Sequence, residues 1–338
     1  MCNLQKLENI CLYQDTNSEK NKEPGIYHSY MICLATTLKY IAGEIDPVQL
    51  MGASGFAFRI FVNEIMCPSA MSMFSFKDVL PSAMEQAGFH CIYFQRMWDE
   101  SQQEAEKREQ AHQAIVKGIE RGRPAIVWDI FEAEWGLITG YDNKKQAYSA
   151  LSYKGDEVSL PFEKLGQNGI NILSVAIPDK PNHRSPEEVV FNSLTAAVTH
   201  AEGKEWIDDR PTYQNGLAAF DLWASIFEKW AWLMESGKSK NIGVDIFSFA
   251  RYYAGHHLSA RCYARGYLHK ISKEDNLLKQ ASEHYRRVTY LLKPIWTYFQ
   301  GKKEPKEQEL RAFSQSIKEA GEEERKAIGL IKQHLSTH

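Results

Sequence analysis

Residues 25–43 read Gly25-Ile26-Tyr27-His28-Ser29-Tyr30-Met31-Ile32-Cys33-Leu34-Ala35-Thr36-Thr37-Leu38-Lys39-Tyr40-Ile41-Ala42-Gly43. Cys33, Leu34, Thr37, Leu38 and Ile41 recur at helical spacing, Ser29 is a favoured N-cap type and Gly43 a terminator, so the stretch predicts a helix from Ser29 to Ala42. A nucleophile at the first position of a helix is a recurrent chemical device. The dipole favours negative charge there, and the free backbone N–H groups can bind a developing oxyanion. A partner base then comes from a later strand.

Working outward, residues 1–24 are polar and end in a loop by composition, Asn17 to Gly25. Aromatic and β-branched residues suggest a strand over Phe56–Ile65, and helices are expected near Phe76–Gly88 and Glu104–Arg121. Then the pattern changes to short apolar runs separated by turns. Pro124–Ile130, Trp135–Asp142, Gln146–Tyr153, Glu157–Leu160 and Asn171–Ile177 read as an antiparallel set of strands. Helices followed by an antiparallel sheet make an α+β domain. Pro178, Pro181 and Pro186 fall within ten residues, which predicts a linker, and the boundary is placed there: one domain over 1–178 and a second over 186–338. Ser185-Pro186-Glu187-Glu188 is a strong helix start. Beyond it helices are expected near 186–202, 213–235, 243–270, 275–300 and 305–335, an all-α bundle.

Composition narrows the function classes. The 338 residues are 43% hydrophobic and 25% charged, as in a globular protein rather than a disordered one. Lys+Arg is 40 against Asp+Glu 43, a net charge of -3, so there is no basic excess to argue for nucleic acid. No apolar run reaches the roughly 18 residues of a membrane span, and mean hydropathy is -0.44. The first residues carry no secretion signal, and the six cysteines form no CxxC pair, so reduced thiols in a soluble, cytoplasmic protein are expected.

The order of features resembles the papain-like superfamily, more narrowly the butirosin biosynthesis protein H N-terminal family and its neighbours among the bacteriocin-processing (C39-type) peptidases. The resemblance covers about residues 25–178. It rests on the helix ending Leu38-Lys39-Tyr40-Ile41-Ala42-Gly43, the Gly-rich aromatic stretch Gly52-Ala53-Ser54-Gly55-Phe56-Ala57-Phe58-Arg59, and the strand ending Thr139-Gly140-Tyr141-Asp142. It implies a catalytic Cys at the helix start, a His opening the strand and an orienting Asp on the next one. In the butirosin-type branch it also implies transfer of an acyl group from a carrier thioester to an amine. Counting back from Tyr40 and Gly140 places Ser29 at the nucleophile position and Glu134 at the base position, and Ala147–Leu151 carries no carboxylate.

A serine is much harder to ionise than a thiol, and an ordinary glutamate, near pKa 4.3, is a poor base for it unless burial raises that value by about two units. Ser29 with Glu134 is a weak catalytic pair but a good polar pocket. His28 adjoins Ser29, as base or as a loop or ligand contact; Cys33 lies one turn on, as nucleophile or as core. Asp129 and Glu132 either line the cleft or form a solvated acidic loop. With Glu134 and His28 they make a thin case for metal, so no metal or cofactor is expected. Tyr27, next to His28, and Arg59 are assigned to a ligand. In the helical half His257, Arg261, Arg265 and His269 follow at four-residue steps, a basic stripe fitted to a phosphate or an acidic partner, or else to salt bridges. Trp223, Trp230 and Trp232 share one helix with Phe220 and Phe227, as core or as a homodimer contact. Two functions follow: a catalytically degenerate binding module for a small molecule or acyl-carrier protein, or an acyltransferase or hydrolase working through Ser29 or Cys33.

Overall fold

The computed structural model describes residues 4–15, 22–205, 212–242, 245–301 and 304–337; Cys2 lies outside them. The fold is α+β, an antiparallel sheet with helices followed by a C-terminal run of helices. In chain order the first elements are β1 (Leu4–Lys6), α1 (Ser29–Ala42), α2 (Pro47–Ala53), β2 (Phe61–Asn63), α3 (Phe76–Gln86), β3 (Phe89–Arg96) and α4 (Glu104–Glu120). Then come β4 (Ala125–Phe131), β5 (Glu134–Asp142), β6 (Ala147–Ser152), β7 (Glu157–Pro161) and β8 (Leu173–Pro181). The remainder is α5 (Pro186–Ala201), β9 (Tyr213–Asn215), α6 (Leu217–Glu235), α7 (Ile246–Ser272), α8 (Asn276–Gln300) and α9 (Glu307–Thr337).

These elements form two compact units. One takes Met1–Asp15, His28–Leu50 and Phe76–Ser185, the other Thr16–Tyr27, Met51–Ser75 and Pro186–His338. Segments 16–27 and 51–75 thus join the helices although they lie inside the 1–178 range.

In the first unit the strand order is β3-β8-β4-β5-β6-β7, with β1 added on β5. Strands β4, β5 and β8 are buried on both faces, which is why they read as continuous apolar runs rather than alternating ones. Ala125, Val127, Ile138, Val175 and Ile177 pack with Ala111, Ile115 and Ile119 of α4. Trp128 and Trp135 meet Phe76 of α3 and Tyr30 of α1 instead. Helix α1 keeps its expected bounds, but its N-cap is His28, whose Nδ1 accepts the N–H of Tyr30 at 3.2 Å; Ser29 is the first helical residue. Gly140 has a local reason: a Cβ there would lie 2.6 Å from Gln5 O, blocking β1.

Two expectations need correction. The Phe56–Ile65 strand shrinks to β2, because Gly55 at φ 76 opens a 3-10 turn over Phe56–Phe58; β2 pairs with β9, a strand inside the expected 213–235 helix. The proline-rich linker shortens to 182–185, since β8 runs through Pro178 to Pro181, while the division between the units still falls at Ser185 and Pro186. Beyond Ile177 its only pairing is with β3, and the register shifts between Phe89 and Cys91. Edge pairing and a bulge tolerate missing N–H groups.

In the second unit, α6 turns Phe220, Trp223, Phe227 and Trp230 into a core shared with Phe299 of α8 and Phe313 of α9. Of the two readings left open for these tryptophans, Trp223 and Trp230 are core, and Trp232 is exposed.

Candidate functional site

The site starts from the β4–β5 turn. Glu132 and Ala133 both have positive φ (60° and 50°), the conformation of a two-residue hairpin turn, and Phe131 pairs with Glu134 across it. Glu134 is therefore the first residue of β5. Ser29 opens α1, and its Oγ donates to Glu134 Oε2 at 2.5 Å, while the N–H of Trp135 approaches Ser29 Oγ at 3.4 Å. Beneath them Tyr30, Phe76, Trp128 and Trp135 form an aromatic floor, with Tyr30 and Trp128 each 5.1 Å from the Trp135 ring. Tyr30 is locked by its hydroxyl, which donates to Leu80 O.

Burial raises the Glu134 carboxyl above its ordinary value; the Ser29 hydrogen bond and Lys154 oppose this, and Glu132 adds to it. Among the described residues no donor meets Glu134 Oε1. The pair can hold a hydroxyl proton between two oxygens and offer a second carboxyl oxygen to a ligand.

The folded state binds the Glu134 proton more tightly than the unfolded chain does. The associated stability is complete below the ordinary carboxyl range and is lost as pH rises through the folded-state value. Glu134→Gln removes that loss. Denaturant titrations between about pH 4 and pH 8 should show the variant gaining on the parent as pH rises. A pH-independent difference would contradict the assignment.

Of the other expected residues, His28 caps α1 with its ring and is buried. Cys33 is fully buried, and burial together with Glu134 pushes its thiol far up, so it is core rather than a nucleophile. Asp129 is neither a cleft group nor solvated: it is 3% exposed and accepts the N–H groups of Gly169 and Ile170. Glu132 is half exposed and paired with Lys154 Nζ at 2.5 Å.

The remaining five belong to the other unit. Tyr27 packs on Tyr252 and His256. Arg59 forks onto Glu205, which also meets His200. The basic stripe is not an open phosphate site. Arg261 is fully buried in a fork with Glu324, His257 is fully buried between Trp223 and Tyr253, and Arg265 pairs with Glu23. Sequence reasoning missed Lys154 and Trp135. Trp135 was legible only as the neighbour of Glu134, and Lys154 comes from the β6–β7 turn with no spacing to announce it.

No protein-family model matches the chain, and no curated protein is significantly similar to it. Among the described residues no group of three or more His, Cys, Asp or Glu side chains could hold a metal ion.

Proposed function

We propose that the sheet-bearing unit is a papain-like module of the butirosin biosynthesis protein H type whose nucleophile and base positions hold Ser29 and Glu134, and that it binds a ligand there without turning it over. The observation that supports this is the 2.5 Å contact between two residues 105 positions apart, each reached by counting along the resemblance. The residues at that contact argue for recognition. A serine hydroxyl needs a base near neutrality, and Glu134, raised by burial but held back by Ser29 and Lys154, is an acid oxygen rather than an imidazole. The ligand is a small molecule or a carrier-borne acyl group in a secondary-metabolite or peptide pathway. A cytoplasmic location is part of this proposal and rests on the sequence reading of the cysteines. No helix among the described residues is long and apolar enough to cross a membrane.

One observation favours turnover: the hydroxyl already donates to a carboxyl made more basic by burial, at a helix N-terminus. Acyl-thioester, fluorophosphonate and iodoacetamide probes followed by peptide mapping separate the readings. Binding alone predicts no site-selective adduct on Ser29 or Cys33, with exposed Cys11 alkylated first. Stoichiometric acylation of Ser29, lost in Glu134→Ala, would establish an acyltransferase instead.

A further inference from the structure

Strand β4 carries two residues that β5 does not match, since Trp128 pairs with Trp135 and Phe131 with Glu134. The extra residues are Asp129 and Ile130, and Asp129 sits at φ 61, a region that favours glycine. A bulge leaves backbone groups outside the ladder. Here one short loop meets them. Asn168 Nδ2 donates to Asp129 O at 3.1 Å and to Ile130 O at 3.2 Å. In return Asp129 Oδ2 accepts the N–H of Gly169 at 2.5 Å and of Ile170 at 2.6 Å.

The bulge also presses on β5. A Cβ on Gly136 would lie 2.8 Å from Ile130 Cβ and 2.7 Å from Leu151 O, so β5 passes under the bulge only because residue 136 has no side chain. Glu134 lies between this crossing and the two-residue turn. Both ends of its short span are therefore fixed by the bulge, one through Gly136 and the other through Phe131.

We propose that the Asn168–Ile170 loop and Asp129 form a clasp whose role is to position Glu134: Asp129, Asn168 and Gly136 are positioning residues that hold its carboxyl against Ser29. This rests on the reading of Ser29 and Glu134 as the site. The competing explanation is that residue 129 only has to adopt a positive φ. Glycine would then serve as well, and a buried carboxylate would be an unneeded burden.

Asp129→Gly separates the two, because it suits the backbone and deletes the clasp. Asn168→Ala deletes the other half without touching the strand. Asp129→Asn keeps an oxygen that can accept both N–H groups. The readout is the titration of the Glu134 side-chain carboxyl by carbon-13 NMR, with Asp142 at the far end of β5 as reference. In Asp129→Gly and Asn168→Ala the Glu134 midpoint should fall toward the ordinary carboxyl range as water reaches a loosened hairpin. Asp129→Asn should keep most of the wild-type midpoint, and Asp142 should not move in any variant. An unchanged Glu134 midpoint in both deletions overturns the clasp, and so does an equal movement of Asp142, which would signal general loosening. If Glu134 moves as expected but Ser29 is found acylated by the thioester probe, the clasp stands and the silent-site reading fails.

Discussion

Replacing Glu324 by leucine should lower the stability of the helical unit by about 3–5 kcal/mol, the range for removing one partner of a buried ion pair. Arg261 is 0% and Glu324 2% exposed. The guanidinium reaches Glu324 through Nε at 2.9 Å and Nη2 at 2.6 Å, and its Nη1 donates to Arg59 O at 2.6 Å. It also lies over the Phe220 ring. Deleting the carboxylate leaves a fully buried guanidinium without its countercharge. The double variant Arg261→Met/Glu324→Leu should recover most of the loss, because the cost lies in the unpaired charge rather than in the missing attraction. Urea unfolding, with hydrogen exchange on α7 and α9 to assign the transition to this unit, measures both. A single variant within about 1 kcal/mol of the parent would mean that the pair is solvated in solution.

The second large effect is a pair of opposite shifts at the candidate site. Ser29→Cys places a thiol where the serine hydroxyl now contacts Glu134. A neighbouring carboxylate disfavours a thiolate, so this thiol should titrate above the free value of about 8.5 despite the helix N-terminus. Ser29→Cys/Glu134→His replaces the acid by a base that becomes a cation. The same thiol should then fall into the range of about 3.5–7.5 found for His-paired cysteines. The rate of iodoacetamide alkylation at residue 29, mapped against pH, reads the inflection directly. Its absolute size is a poorer guide, because nucleophilicity falls with the thiol pKa. Two profiles with the same inflection would show that residue 134 does not face residue 29 in solution.

Where the sequence carried its own punctuation, it was legible. Helix α5 begins at Pro186 with Glu187 and Glu188 in its first turn, as its residue types dictate, and α1 ends at Gly43, whose N–H returns to Lys39 O. Ser29 and Glu134, named together as a polar pair, are in contact in the structure. The failures share a physical cause. Four-residue spacing put His257, Arg261 and Arg265 on one face and left a phosphate site and salt bridges both open; Arg261 and Arg265 form salt bridges, and spacing could not choose because the countercharge on Glu324 lies 63 residues from Arg261. Prolines read as a linker because their missing N–H is a local fact, whereas the end of the β4 pairing at Ala176, which leaves Pro178–Pro181 paired with β3 alone among the described residues, is a tertiary one. Asp129 and Glu132 read as cleft lining or as a solvated acidic loop, and the stretch Asp129–Glu134 is neither. It holds three residues at positive φ, a buried carboxylate and a surface ion pair, and backbone conformations of this kind leave no mark in residue type.

The division of the chain has a consequence during synthesis. The polypeptide passes from one unit to the other five times before its end. Phe58 packs against Tyr267 and Tyr285, and Phe61 against His200. At about 5–20 residues per second, the apolar stretch from Met51 to Ser75 leaves the ribosome on the order of ten seconds or more before α8 exists. Until then Phe58 lacks the Tyr267 and Tyr285 rings it packs against in the finished chain. Nascent chains stalled before residue 285 should therefore be the form that chaperones hold longest, and ending the chain at Ser185 would make that waiting state permanent.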